Sequence, residues 1–365
     1  MQGNSSAEAL LAAKSEAADG LIATASEEFL AGAPKTKIAV CAVGGYGRRE
    51  LFPFSDVDLV LLFDAEPDIG GSKEAISRFM SELWDRGLRA SHSVRTVAEC
   101  AELHEQNIEL HISLLDVRFV HGNKQLYDAL ADRLSIFNRR QGTLLTKYLA
   151  EMTRHRHAKF NNTIYHLEPN IKEAPGGVRD IHVLRWLGQL APEHRVEDSA
   201  QRLKGETAFL FRVRCFLHLS TGRDNNLLSY EMQDEAASFL PETALSPEEW
   251  MRLYFQSARS IYQKTSLTLE AVESSDPTLL RQFREWRGRL STSEFTVSRE
   301  RVFLRNAAET LSSPQSIFQL FTFVGRHGVQ LSWDTHRRLE NELKGMTALF
   351  EKAPPRWPQW RDLFA

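Results

Sequence analysis

Cysteine is nearly missing from this sequence. Cys41, Cys100 and Cys215 lie far apart and form no Cys-x-x-Cys pair. That excludes a disulfide framework and a cysteine zinc site, and Cys41, within an apolar stretch, reads as a small core residue. Long hydrophobic runs are missing too: none reaches the roughly 18 residues that cross a bilayer. Residues 1–34 lack the basic start and apolar stretch of a signal peptide, so the cytoplasm is the expected compartment. Neither sign of charge dominates: 45 Lys and Arg stand against 48 Asp and Glu, a net charge of −3. Nothing therefore draws the chain toward nucleic acid or an anionic membrane. The basic cluster Arg154-His155-Arg156-His157 is short and reads as a solvated helix face. No internal repeat or low-complexity segment occurs. What remains is a 365-residue chain, 42% hydrophobic and 25% charged, in the range of globular proteins, with room for one large or two ordinary domains.

Apolar spacing supplies the elements. Leu10, Leu11, Leu21, Ile22, Phe29 and Leu30 predict one or two helices, interrupted at Gly20 and ending near Gly32 and Pro34. Residues 37–43 and 57–63 predict strands. Residues 66–71 look turn-rich, and Ser72 is the expected cap of a helix reaching Asp85, with Ile76, Phe79, Met80 and Leu83 on one face. A third strand is expected over 88–96, then helices from 97 to about 160. The second half reads as helical, with periodic stretches at 209–219, 250–272, 317–323 and 333–346; residues 295–304 suggest a small hairpin. The expected class is α+β: an N-terminal helical segment (1–34), a small mixed-sheet domain (35–150) and an all-helical domain (151–365).

The densest chemistry lies between the first two strands, in Gly44-Gly45-Tyr46-Gly47-Arg48-Arg49-Glu50-Leu51-Phe52-Pro53-Phe54-Ser55-Asp56-Val57-Asp58. Residues two apart on a strand share a face, so Asp56 and Asp58 can converge on cations. They open the apolar run from Leu59 to Phe63, where unpaired carboxylates cost desolvation unless cations compensate; the plainer alternative is a solvated strand end. Gly44 and Gly45 leave backbone N–H groups able to face phosphate oxygens. Ser55 can bond a phosphate or cap the turn. Arg48 and Arg49 can meet phosphate, or one of them can bridge Glu50. Farther on, Glu168-Pro169 forbids helix continuation and Pro175-Gly176-Gly177 makes a turn. Lys172 and Arg179 flank that turn, either as anion ligands or as surface charges on an interdomain loop.

The first of these blocks resembles the Gly-Gly…Asp-x-Asp signature of the polymerase-beta-like nucleotidyltransferases. The fuller string resembles one branch, the PII-protein uridylyltransferases. Leu167-Glu168-Pro169-Asn170-Ile171-Lys172-Glu173-Ala174-Pro175-Gly176-Gly177-Val178-Arg179-Asp180-Ile181-His182 is similar to a second block of that branch. Shorter matches are Leu83-Trp84-Asp85-x-Gly87-Leu88, His92-Ser93-Val94-Arg95-Thr96 and Ser113-Leu114-Leu115-Asp116-x-Arg118.

The resemblance implies a nucleotidyltransferase that moves UMP from UTP to a tyrosine of the PII signalling protein. Asp56 and Asp58 would hold Mg²⁺, and Gly44, Gly45, Arg48, Ser55, Lys172 and Arg179 would hold the nucleotide. Mg²⁺ suits a site with few carboxylates, since water and phosphate supply its other ligands. Many members of the superfamily carry a third carboxylate on the next strand; residues 88–95 contain no acid. His92 can act as general base there or be a hydrogen-bonded structural histidine. Full-length relatives add a His-Asp hydrolase domain and two ACT domains; no His-Asp dipeptide occurs in this sequence, so transfer without uridylyl removal is expected. The competing readings are another transferase of the superfamily, for instance an adenylyl one, and an idle nucleotide-binding module.

Overall fold

The computed structural model describes residues 6–30, 38–102, 107–191, 203–240, 246–274, 294–298 and 301–364 apart from 353 and 355. The chain divides into two compact units, Met1–Thr268 and Leu269–Ala365.

In the first unit, helix α1 (Ala7–Phe29) begins where the Ser6 hydroxyl accepts the Ala9 N–H at 3.2 Å, a side-chain cap. It runs unbroken through Gly20, where an added Cβ would meet nothing within 4 Å. A mid-helix glycine costs about 1 kcal/mol, which burial of Leu11, Ala18, Ile22 and Ala25 outweighs. The expected stop at Gly32 and Pro34 falls outside the described residues.

Four strands follow: β1 (Ile38–Ala42), β2 (Val57–Phe63), β3 (Ala90–Thr96) and β4 (Arg118–Gly122), in the order β3-β2-β1-β4. Strand β1 is antiparallel to β2 and β4, whereas β2 and β3 are parallel. That parallel pair needs a crossover, which α3 (Glu66–Asp85) supplies. This helix starts six residues before the expected cap, with a proline in its first turn, where a fixed φ and a missing N–H cost nothing. Ser72 is consequently buried inside the helix. The half-buried β4 interrupts the region expected to be helical.

Alternation along the strands divides the core. Val40, Ala42, Leu59, Leu61 and Phe63 pack with Ile22 of α1 and with Phe79 and Leu83 of α3. Cys41, Val60 and Leu62 face the other way, against Leu126, Leu130 and Leu134 of α5 (Lys124–Ala158). Asp58 has the parity of Val60 and Leu62, so it leaves the core on the α5 side.

Helices α6 (Val178–Leu190), α7 (Lys204–Thr221), α8 (Tyr230–Phe239) and, as far as Thr268, α9 (Pro247–Ser274) complete this unit. Phe209, Leu210, Met232, Trp250, Tyr254 and Ile261 build a separate core that also takes in Phe52 and Leu11. Phe52 lies four residues before Asp56, so the aspartate loop is anchored among the helices.

The second unit has its own core of Phe295, Val302, Ile317, Leu320 and Met346. The expected hairpin is present, as β5 (Phe295–Ser298) and β6 (Arg301–Leu304), and β7 (Gln330–Leu331) pairs parallel to β6. Helices α10 (Ala307–Leu311), α11 (Pro314–His327), α12 (Trp333–Asn341) and α13 (Leu343–Lys352) contribute to this core, and α14 (Trp357–Phe364) packs on α11 through Phe318 and Trp360. The described fold is α+β, as expected.

Candidate active site

Strand β1 ends in a single helical turn, α2 (Gly44–Gly47). The Val43 N–H donates to the Asp58 carbonyl at 3.1 Å, fastening the turn to β2. Gly44 has φ +56°, and a Cβ there would lie 3.6 Å from Asp58 Oδ2, so bare backbone sits beside the carboxylate. Gly47 admits no side chain, because its Cβ would fall 2.0 Å from the Asp116 carbonyl oxygen. Tyr46 is buried and donates its hydroxyl to Asp19 of α1, which also receives Arg118 Nη1 at 2.7 Å. Burial, then the bond to Asp19, pushes the Tyr46 phenol above its ordinary value.

This turn opens on a cleft of about 550 Å³. Gly44, Gly45, Ser55, Asp56 and Asp58 line it from the sheet side; Lys172, Arg179 and Arg214 line it from the helical part. Asp58 accepts the Ser91 hydroxyl at 2.6 Å, and Asp56 pairs with Arg89 Nε at 3.2 Å. His92 does not join them. It pairs in register with Leu59, one residue out of phase with Asp58. Strand alternation therefore turns it to the opposite face, where it lines a separate depression with Met80 and Trp84. The general-base role considered for His92 is corrected accordingly.

Arg48 reaches the cleft wall, yet its guanidinium is already engaged. Nε donates to Glu50 Oε2 at 2.8 Å and Nη1 to Asp116 Oδ2 at 2.5 Å, with the side chain 6% exposed. Of the two roles open to it from sequence, bridging Glu50 is the one the structure contains. Glu50 also takes Arg185 Nη1 at 2.9 Å and His182 Nε2 at 2.8 Å, and Trp186 Nε1 donates to Asp116 at 2.8 Å. Burial, then the charge of Arg48, pushes the His182 imidazole down to about 3. Neutral His182 can donate from Nε2 to Glu50 and accept at Nδ1 from Arg48 Nη2, 3.3 Å away. Burial opposes ionisation of Glu50, but His182, Arg48 and Arg185 hold its carboxyl below the usual range. For Asp116 burial wins, and its carboxyl is raised.

The loop before α6 is fixed just as firmly. Gly176 has φ +77°, and a Cβ there would fall 2.1 Å from the Ala258 carbonyl oxygen. Its N–H donates to Asp180 Oδ2 at 2.8 Å; His157 Nε2 lies 2.9 Å from Oδ1, and Arg156 also donates to Asp180. Despite burial, His157 and Arg156 hold the Asp180 carboxyl down to about 2. Arg179 pairs with Glu173 at 3.2 Å. Lys172 lines the cleft with no hydrogen bond or ion pair at its ammonium among the described residues; burial, then Arg214, lowers that ammonium against the more distant charges of Asp224 and Glu173. Arg214 lies 4.1 Å over the Phe52 ring and donates to Asn226 at 2.8 Å. Sequence reasoning named Glu50 as a partner for Arg48 or Arg49 but missed Arg214, Asp116 and Asp180 as site-builders. The local signals for Asp116 and Asp180 were the family-like blocks that hold them.

The two carboxylates and the Ser91 hydroxyl are hard oxygen donors of the kind a divalent cation takes, while the Arg89 guanidinium brings positive charge to Asp56. Among the described residues no three His, Cys, Asp or Glu side chains gather around a common point. A cation at Asp56 and Asp58 would therefore take its remaining ligands from water and phosphate oxygens.

A small mixed sheet carrying a glycine turn and paired aspartates, walled by helices, is consistent with a nucleotidyltransferase domain. The chain is similar to the PII-uridylyltransferases: residues 144–269 match the family described as GlnD PII-uridylyltransferase. It is similar to the bifunctional uridylyltransferase/uridylyl-removing enzyme of Haemophilus influenzae strain PittEE, 31% identical over 349 residues, 90% of this chain and 39% of that protein. The enzyme of the same name from Cupriavidus pinatubonensis is 37% identical over 251 residues, 65% of this chain and 28% of that protein. The Burkholderia vietnamiensis one is 37% identical over 259 residues, covering 67% and 30%. The chain thus spans about two fifths or less of the length of these relatives. The family match covers Lys172, Arg179 and Arg214 and leaves out the aspartates, which only the longer alignments can reach.

Proposed function

We propose that this chain transfers UMP from UTP to a tyrosine hydroxyl of a PII-type protein, in the cytoplasm and with Mg²⁺. One observation carries the reading: the Gly44 backbone lies beside Asp58 on one side of a cleft that is also lined by Lys172, whose ammonium has no hydrogen bond or ion pair among the described residues. Asp56 and Asp58 would hold Mg²⁺, which supplies charge neutralisation at the α-phosphate and at the departing pyrophosphate. The turn offers backbone N–H groups to the β- and γ-phosphates, with Ser55 beside them. Lys172 and Arg179 meet triphosphate charge from the helical side, and Arg48 supports the turn from below through Glu50 and Asp116. The tyrosine oxygen attacks the α-phosphorus, the bond to the β-phosphate bridging oxygen breaks, and the hydroxyl proton leaves to solvent or base. The names of the relatives support uridylyl as the group transferred, and the family description supports a PII-type acceptor.

Purified protein, Mg²⁺, the host's PII protein and each of the four α-labelled NTPs form the test. Label should pass to PII from UTP and be lost with Asp58→Asn. Transfer from ATP to another acceptor would overturn the assignment. The Arg89–Asp56 pair favours a second reading, an idle nucleotide-binding module, for which Asp58→Asn would change no turnover.

A further inference from the structure

Arg89 stands at the entrance to β3, across from the loop that enters β2. Its own carbonyl accepts the Val57 N–H at 2.8 Å, which fixes its backbone between the two aspartates in register. Its Nη2 donates to the Phe54 carbonyl, while Nε sits 3.2 Å from Asp56 Oδ1. The guanidinium therefore joins both ends of the segment that leads into Asp56 and Asp58. No acid stands anywhere in 88–95. The strand next to the aspartates thus brings positive rather than negative charge to them. Lys14 adds to this field from α1: its ammonium bonds the Phe52 carbonyl at 3.0 Å, three residues before Ser55.

We infer that Arg89 is a built-in competitor for divalent metal at Asp56. It occupies the carboxylate in the free protein and must yield before Asp56 can ligate a cation. This rests on the reading of Asp56 and Asp58 as the metal site. The pair is exposed on both sides, at 57% and 62%, so it is weak enough to be displaced. Metal entry is then a swap of one cation for another, and metal affinity is set low by design of the loop rather than by a shortage of donors alone. Because both partners face solvent, the competition is screened by salt.

The test is Mn²⁺ binding to the full chain, followed by the electron paramagnetic resonance signal of free Mn²⁺, for wild type, Arg89→Gln, Arg89→Glu and Asp58→Asn. Removing the guanidinium should tighten Mn²⁺ binding about two- to fivefold, the span of an exposed ion pair. Arg89→Glu, which adds a donor as well, should tighten it further, and both gains should shrink in high salt. Circular dichroism melting checks that each variant is folded. Unchanged or weaker Mn²⁺ binding in Arg89→Gln would overturn the inference. Asp58→Asn tells the two failures apart. If it loses Mn²⁺ while Arg89→Gln gains nothing, only the competitor role falls; if it binds as wild type does, the metal site itself falls.

Discussion

The two walls of the cleft are built on opposite terms. On the sheet side, Asp56 is 62% exposed and held by one exposed arginine, and Asp58 by one serine hydroxyl. On the helical side, Asp180 is wholly buried, with an arginine, a histidine and a backbone N–H all directed at it. The same residue type does different work in the two places. A buried, fully bonded carboxylate has no capacity left for a ligand and fixes geometry. An exposed, lightly paired one can exchange its partner. The wall that can bind is therefore the one contributing least to stability, and the two properties should separate cleanly under mutation.

The sharpest break is Asp58→Asn. It removes half of the donor pair while touching no buried network, so transferase turnover should fall roughly 10²–10⁴-fold, the scale of several kcal/mol of lost charge stabilisation. Denaturant unfolding should shift by less than about 0.5 kcal/mol. A stability loss matching the activity loss would show that the walls do not divide the labour this way.

Asp180→Asn should give the converse. Removing one partner of a buried ion pair costs about 3–5 kcal/mol, visible as a lower urea midpoint. Its pH dependence has a definite sign. A carboxyl held down to about 2 in the fold stabilises it fully above the ordinary value near 3.8 and loses that contribution as pH falls from there toward 2. Wild type should lose about 2 kcal/mol in that window on this account, and Asp180→Asn should lack that part of the slope. Equal acid slopes for the two proteins would contradict it.

Lys172 tests the boundary between the walls, being a helical-side residue whose ammonium has no hydrogen bond or ion pair among the described residues. Lys172→Met should weaken Mg²⁺–UTP binding about tenfold, the worth of one charge-assisted hydrogen bond, as isothermal titration would report. Stability should be unchanged or slightly higher, since a half-buried ammonium no longer has to be desolvated. Lower stability would mean Lys172 is a scaffold group.

The same contrast explains what could be read in advance. The glycine turn, β2 and the aspartates at its start were legible because their pattern is contiguous: an unbroken apolar run and local turn chemistry need no tertiary partner. The start of α3 was misjudged because Ser72 looked like a cap, while the proline-containing first turn beginning at Glu66 had already formed the helix. Strand β4 was missed because its residues are only half-buried and follow the short α4 (Ile108–Leu114) without a periodic signal. Of the buried networks only the local Arg48–Glu50 bridge could be read, because Arg48 meets Asp116 and His182 across 68 and 134 positions of sequence.

His92 is the smallest and most discriminating case. As a histidine two positions before Val94 in a family-like block, it was a reasonable base from sequence, yet one step of strand register decides its side. Ser91 stands opposite Asp58 and His92 opposite Leu59, so a single-residue offset sends the imidazole to the α3 face beside Trp84. His92→Ala should leave transfer from UTP within about twofold of wild type, with an unaltered pH–rate profile, because no proton in the cleft is within its reach. Loss of one limb of that profile would require His92 to act on the cleft after all, and with it a different register for β3.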